Sequence, residues 1–177
     1  MGGSLRKKGT GVPICRTIRI GLVGDPLSGK SSILTRFISN RFRFEYEPTT
    51  KNIVGLKSYI LDEVAIPVTV EIWELHSDFN QPIDVAIIVI DSKLPINEIQ
   101  DYYMRWFKEA QNYFWNDIHV ALTKSELSED EADKFVDRVT DALVLPGNRK
   151  PFLTSASSNI GIFQMFKTII SQKMRGL

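Results

Sequence analysis

The sequence predicts an α/β domain built on a doubly wound, mostly parallel sheet, and three observations carry that expectation. Gly24-Asp25-Pro26-Leu27-Ser28-Gly29-Lys30-Ser31 reads G-x-x-x-x-G-K-S, set between an apolar run and a segment of helical period. Asp84-Val85-Ala86-Ile87-Ile88-Val89-Ile90-Asp91 has an uninterrupted apolar centre, as a strand covered on both faces must have. Strand-like and helix-like segments then alternate to the end of the chain, a pattern that places ligands at the carboxyl ends of the strands.

Each element has its own signal. Thr17-Ile18-Arg19-Ile20-Gly21-Leu22-Val23 alternates and then turns wholly apolar, which predicts a buried first strand. Ile33, Leu34, Phe37 and Ile38 fall at helical spacing, so a helix follows the glycine loop. Residues 40–50 form a polar and aromatic loop. Two strands are expected at Ile53 to Leu61 and Val64 to Trp73, joined by a hairpin turn at Asp62-Glu63. Asn80-Gln81-Pro82-Ile83 reads as a turn before the central strand. A long helix is predicted from Ile96 to Phe114, with Ile99, Tyr103, Trp106, Phe107 and Ala110 on its inner stripe. Ile118 to Thr123 is the next strand. Ser128, with Glu131 three residues on, forms a capping box for a helix that stops before Pro146-Gly147. Phe152 to Ser155 and Ile160 to Met174 complete the chain as a short strand and a helix.

The 177 residues suit one domain, read as a flexible, basic, Gly-rich tail over 1–15 and a folded part over 16–177. A hydrophobic share of 43% and a net charge of +1 suit a soluble protein and give no sign of nucleic-acid binding. The single cysteine, Cys15, rules out an internal disulfide framework and points to a reducing, cytoplasmic setting, with the thiol packed as a small apolar group. No apolar run approaches the length of a membrane span. Position 6 is Arg6 where N-myristoylation wants Ser or Thr, and the last residues hold no cysteine to prenylate, so no lipid anchor is expected.

The glycine loop carries the chemistry. Gly24 and Gly29 let the backbone from Gly24 through Asp25, Pro26, Leu27 and Ser28 to Ser32 wrap closely around phosphates, with N–H groups and a helix N-terminus facing the anion. In that motif Lys30 reaches the terminal phosphates and the Ser31 hydroxyl ligates Mg²⁺. The fixed positions recur by chance in roughly one chain of this size in a hundred or fewer. The strand before and the helix after turn the pattern into a site.

With these motifs in place, the chain resembles a small GTPase of the Ras/Rab superfamily over about residues 16 to 174. That resemblance implies a P-loop NTPase fold, GTP or GDP as ligand, and Mg²⁺. Phe42 matches the aromatic whose edge packs on the guanine base. Tyr46-Glu47-Pro48-Thr49 matches the switch I pattern Y-x-P-T, which makes Thr49 the second metal ligand and the Phe44 to Thr49 face a protein-binding surface. Thr123-Lys124-Ser125-Glu126 stands at the guanine reader N-K-x-D: Lys124 lies over the base, Glu126 takes the aspartate's role, and Thr123 loses the amide that ties neighbouring loops. Ser155-Ala156-Ser157 matches S-A-K, with the Ala156 N–H aimed at the base.

Switch II departs furthest from the resemblance. Trp73-Glu74-Leu75-His76-Ser77-Asp78-Phe79 stands for W-D-T-A-G-Q-E, with Glu74 for the aspartate and Asp78 near the place of the water-orienting glutamine. Roughly nine residues are missing, too few being left for a second helix at 3.6 residues per turn. His76 reads as an exposed loop histidine. The resemblance, so altered, implies a nucleotide-binding, Rab-like scaffold subunit with very slow or absent hydrolysis, in vesicular or intraflagellar transport and cilium-associated in the latter case. A GTPase completed by a partner in trans and a nucleotide-free docking platform are the alternatives.

Overall fold

The computed structural model describes residues 16–45, 51–60, 67–76, 82–113 and 115–176. Chain order gives β1 (Arg16–Val23), α1 (Lys30–Ser39), β2 (Ile53–Ile60), β3 (Pro67–Glu74), β4 (Val85–Asp91) and α2 (Ile96–Asn112). β5 (Ile118–Thr123), α3 (Glu129–Ala142), a 3₁₀ turn at Pro146–Asn148, β6 (Phe152–Leu153) and α4 (Ile162–Arg175) follow. The six strands lie in the order β2-β3-β1-β4-β5-β6. Among the described strands only the β2–β3 pair is antiparallel. That pairing agrees with the expected hairpin, whose turn lies outside the described residues.

Period-two alternation sorts the strand residues onto two faces. Ile18, Ile20 and Leu22 of β1, Val68, Val70 and Ile72 of β3, and Val85, Ile87 and Val89 of β4 pack under α1 and α4. Ala86, Ile88 and Ile90 of β4, with Ile118, Val120 and Leu122 of β5, pack under α2 and α3. β4 is therefore buried on both sides, which is why its centre carries no polar residue. α3 opens on the predicted capping box, Ser128 and Glu131 each bonding back to the other's backbone. On α2, Ile99, Tyr103 and Ala110 are buried, while Trp106 and Phe107 are half-buried at the border of the stripe.

Among the described residues no helix lies between β3 and β4, and the sheet is built accordingly. β1 and β3 pair Arg19 with Glu71 on the second face, where their side chains form an ion pair of 3.1 Å. On the same face of β2, Leu56 and Ile60 are more than half exposed. A helix seated there would have to bury that salt bridge, at a cost in desolvation.

At the far end of the sheet, Asp117 joins three elements. Its Oδ1 accepts from Arg149 at 2.6 Å and lies 3.3 Å from His119 Nε2, while Lys173 of α4 stands 3.8 Å from Oδ2. The His119 bond first, and the Arg149 bond after it, hold the Asp117 carboxyl well below the usual carboxylate range. A depressed carboxylate pKa contributes stability above its unfolded value and loses it as pH falls toward the folded one. Asp117→Asn should therefore cost about 1–3 kcal/mol near neutrality. In urea titrations the gap to the unmodified protein should narrow below about pH 4. A gap of constant size from pH 7 to pH 3 would refute the assignment.

Candidate functional site

The cradle forms where β1 ends. Gly24 has φ +148°, and a Cβ there would meet the Val89 carbonyl oxygen at 2.4 Å, so only glycine lets the chain turn beside β4. Gly29, with φ +103°, opens α1 without a side-chain cap and without an acid in the first turn. The positive end of that helix consequently faces an anion-shaped loop. Leu27 sits at φ +67°, a strained conformation of the kind that collects at binding sites. Lys30 is buried, its Nζ donating to the carbonyls of Gly24 at 2.8 Å and Asp25 at 2.9 Å. Burial pushes its pKa down, while Glu74 and Asp25 pull the other way. Both carbonyl contacts hold the ammonium at the floor of the loop.

The Asp25 side chain turns outward to α2. It accepts from Trp106 Nε1 at 2.8 Å and from the Arg105 guanidinium, so the first turn of the loop is moored to that helix. Sequence reading missed this pair, because a tryptophan on an apolar stripe signals core before it signals a donor.

The candidate metal corner is built by α1 and the end of β3. Ser31 Oγ donates to Glu74 Oε1 at 2.7 Å, and His76 Nε2 donates to the same oxygen at 2.8 Å. Glu74 is 1% exposed, and its Oε2 is buried with no hydrogen-bond partner among the described residues. Mg²⁺ takes hard oxygen ligands and keeps several waters. A serine hydroxyl beside a buried carboxylate with a spare oxygen is the donor set for it, so the residues present suit the ion. The expectation of an exposed histidine is corrected: His76 is half-buried, because Glu74 below it is a carboxylate that needs donors. Thr49, Ser77 and Asp78 lie outside the described residues.

From this corner, a cleft of about 720 Å³ runs from Lys30, Ser31 and Ser32 past Glu74 to Phe42 and Lys124. Phe42 meets Phe44 edge-on, ring centroids 5.0 Å apart. Lys124 has φ +59° and pairs with Asp91 at 2.7 Å. The tie thought lost at Thr123 is kept by another atom: its hydroxyl lies 2.5 Å from the Ser28 carbonyl and 3.2 Å from that of Ile90. One O–H does part of what an amide would do, because the β5 end stands close enough to the loop.

Ser155 is buried, its hydroxyl 3.0 Å from that of the exposed Ser157. Arg36 of α1, another residue the sequence did not reveal, donates to the carbonyls of Ala156 at 2.7 Å and Ser157 at 3.3 Å. The cradle's own helix thus holds the 155–157 loop in place. Glu126 is exposed and lines an adjoining cavity of about 850 Å³ against α3, not the cleft itself. The structure brings Phe42 and Lys124 to the cradle and leaves Glu126 one cavity away.

Comparison with known proteins agrees with this geometry. A family model described as the Ras of Complex, Roc, domain of DAPkinase matches residues 19–126, which hold the cradle, the metal corner and the 123–126 loop. The GTP-binding protein YPT53 of Saccharomyces cerevisiae is 27% identical over 169 residues, covering 86% of this chain and 74% of its own. No described helix is long and apolar enough to cross a membrane.

Proposed function

Because the chain belongs to the Roc family of Ras-like small GTPase domains, we propose that it binds GTP or GDP with Mg²⁺ and hydrolyses GTP very slowly or not at all. The observation that carries the reading is the continuity of the cleft. One groove joins a lysine-floored anion cradle, a serine–carboxylate corner and a lysine–phenylalanine end. Lys30 and the α1 N-terminus hold the phosphates; Ser31 holds Mg²⁺, with Glu74 behind it and Thr49 as the second protein ligand. The ion neutralises phosphate charge. Lys124 lies along the base, with Phe42 at its edge. Glu126 turns in from its neighbouring cavity to accept the guanine N–H donors, and the Ala156 loop, gripped by Arg36, offers backbone donors to the base carbonyl.

The sequence supports slow turnover. Phosphoryl transfer depends on a positioned water, and position 78 carries an acid that repels hydroxide and phosphate alike. A domain of this kind acts as a protein-binding module, with the exposed ring of Phe44 (92% accessible) in its contact face. Intracellular transport, vesicular or intraflagellar, is the setting we assign to it. One preparation tests the reading: denaturation of purified protein and chromatography of the supernatant should yield a guanine nucleotide, and competition should favour GTP over ATP. Single-turnover hydrolysis should run below the roughly 3–5 × 10⁻⁴ s⁻¹ of an unassisted Ras-like protein. Faster turnover would defeat the slow-hydrolysis reading. Equal GTP and ATP affinity would defeat the base assignment.

A further inference from the structure

Glu74 differs from the shorter aspartate by one methylene, and a longer side chain has one more torsion to fix before its carboxylate can serve a metal. In this chain the fixing group is visible. The His76 ring donates Nε2–H to Glu74 Oε1 at 2.8 Å, beside the Ser31 hydroxyl on the same oxygen. The His76 backbone N–H is itself held, at 2.9 Å, by Oδ1 of Asn52 at the entry to β2. Both donors crowd onto Oε1, and Oε2 is left buried and without a partner among the described residues. A carboxylate pinned at one oxygen presents the other in a defined direction.

We propose that His76 is the positioning residue of the metal corner: it locks Glu74 so that Oε2 receives the hydration shell of the Mg²⁺ held at Ser31. The role rests on the nucleotide-binding reading and extends it, since it assigns to this histidine the correction for the longer acid. Partners that orient a metal's ligands typically govern metal affinity 10–100-fold without touching the ion. Asn52 carries the lock to the strand that follows residues 46–50, so the metal corner and the entry to β2 are mechanically one unit.

The test is the release of fluorescent GDP from the full chain across a MgCl₂ series and in EDTA. His76→Ala should raise the Mg²⁺ midpoint for nucleotide retention by about 10–100-fold, while its release rate in EDTA equals that of the unmodified protein. His76→Gln, whose amide N–H can reach the same oxygen, should recover most of the loss. In nucleotide-free protein, ¹⁵N spectra should find the His76 proton on Nε2. An unchanged midpoint in His76→Ala overturns the role of His76 alone, as does an EDTA rate that rises in step with the Mg²⁺ rate, which would mean a loosened cleft. An unmodified protein that retains no GDP at any Mg²⁺ concentration overturns the nucleotide reading and this role with it.

Discussion

Lys30→Ala is expected to abolish the thermal shift that GDP and Mg²⁺ should give the unmodified protein. A ligand that binds only the folded state, at a hundredfold excess over its Kd, stabilises by about 2.7 kcal/mol. For a domain of this size that corresponds to roughly 5–10 °C in Tm. Lys30 is the cationic side chain at the floor of the cradle, held there by the Gly24 and Asp25 carbonyls. Those carbonyls point its charge at the loop, and a small side chain leaves a phosphate without its counter-charge there. The measurement is a melting curve of each protein with and without GDP and MgCl₂. A variant that still shifts by the full amount would mean that the backbone N–H groups alone hold the nucleotide.

Phe166→Ala produces the largest loss of stability expected of a single substitution here, about 3–5 kcal/mol. The ring is fully buried in α4 and meets Phe37 of α1 at a centroid distance of 4.1 Å. Its removal leaves a cavity between the two helices on the sheet face that supports the cradle. Domains of this kind have about 5–15 kcal/mol in all, so the variant stands near the edge of folding. Urea unfolding should show a lower midpoint at unchanged slope. GDP with Mg²⁺ at a hundredfold excess over its Kd should offset about 2.7 kcal/mol of the deficit, because a ligand that binds only the folded state stabilises it wherever the lesion lies. A loss below 1 kcal/mol would mean that neighbouring side chains close the gap.

Much of the fold was legible because its signals are local. The apolar run at Val85–Ile90, the capping box at Ser128 and the helical spacing of Ile33, Leu34 and Phe37 each depend on neighbours in sequence. Strand limits were less legible. The expected strand to Ser155 ends at Leu153, because Ser155 bridges across a turn to Ile160 instead of joining β5. The cradle was legible from its glycines, whereas its supports were not. Trp106, Arg36 and His76 act on atoms 81, 120 and 2 residues away respectively. The first two contacts exist only after the sheet brings distant segments together. The third is not legible because a carboxylate two residues back becomes a partner only where the chain stays extended and then bends, as it does just past the end of β3.

The mixed face of β1, β2 and β3 bears on the engineering of this fold. Leu56 and Ile60 leave apolar surface in water beside the ion pair of Arg19 and Glu71, so the same face both invites and resists a cover. A helix grafted there would gain from the two apolar side chains but would take two charges out of water, at several kcal/mol of desolvation for each ion. Such a graft would therefore need Arg19 and Glu71 replaced by apolar residues in the same step.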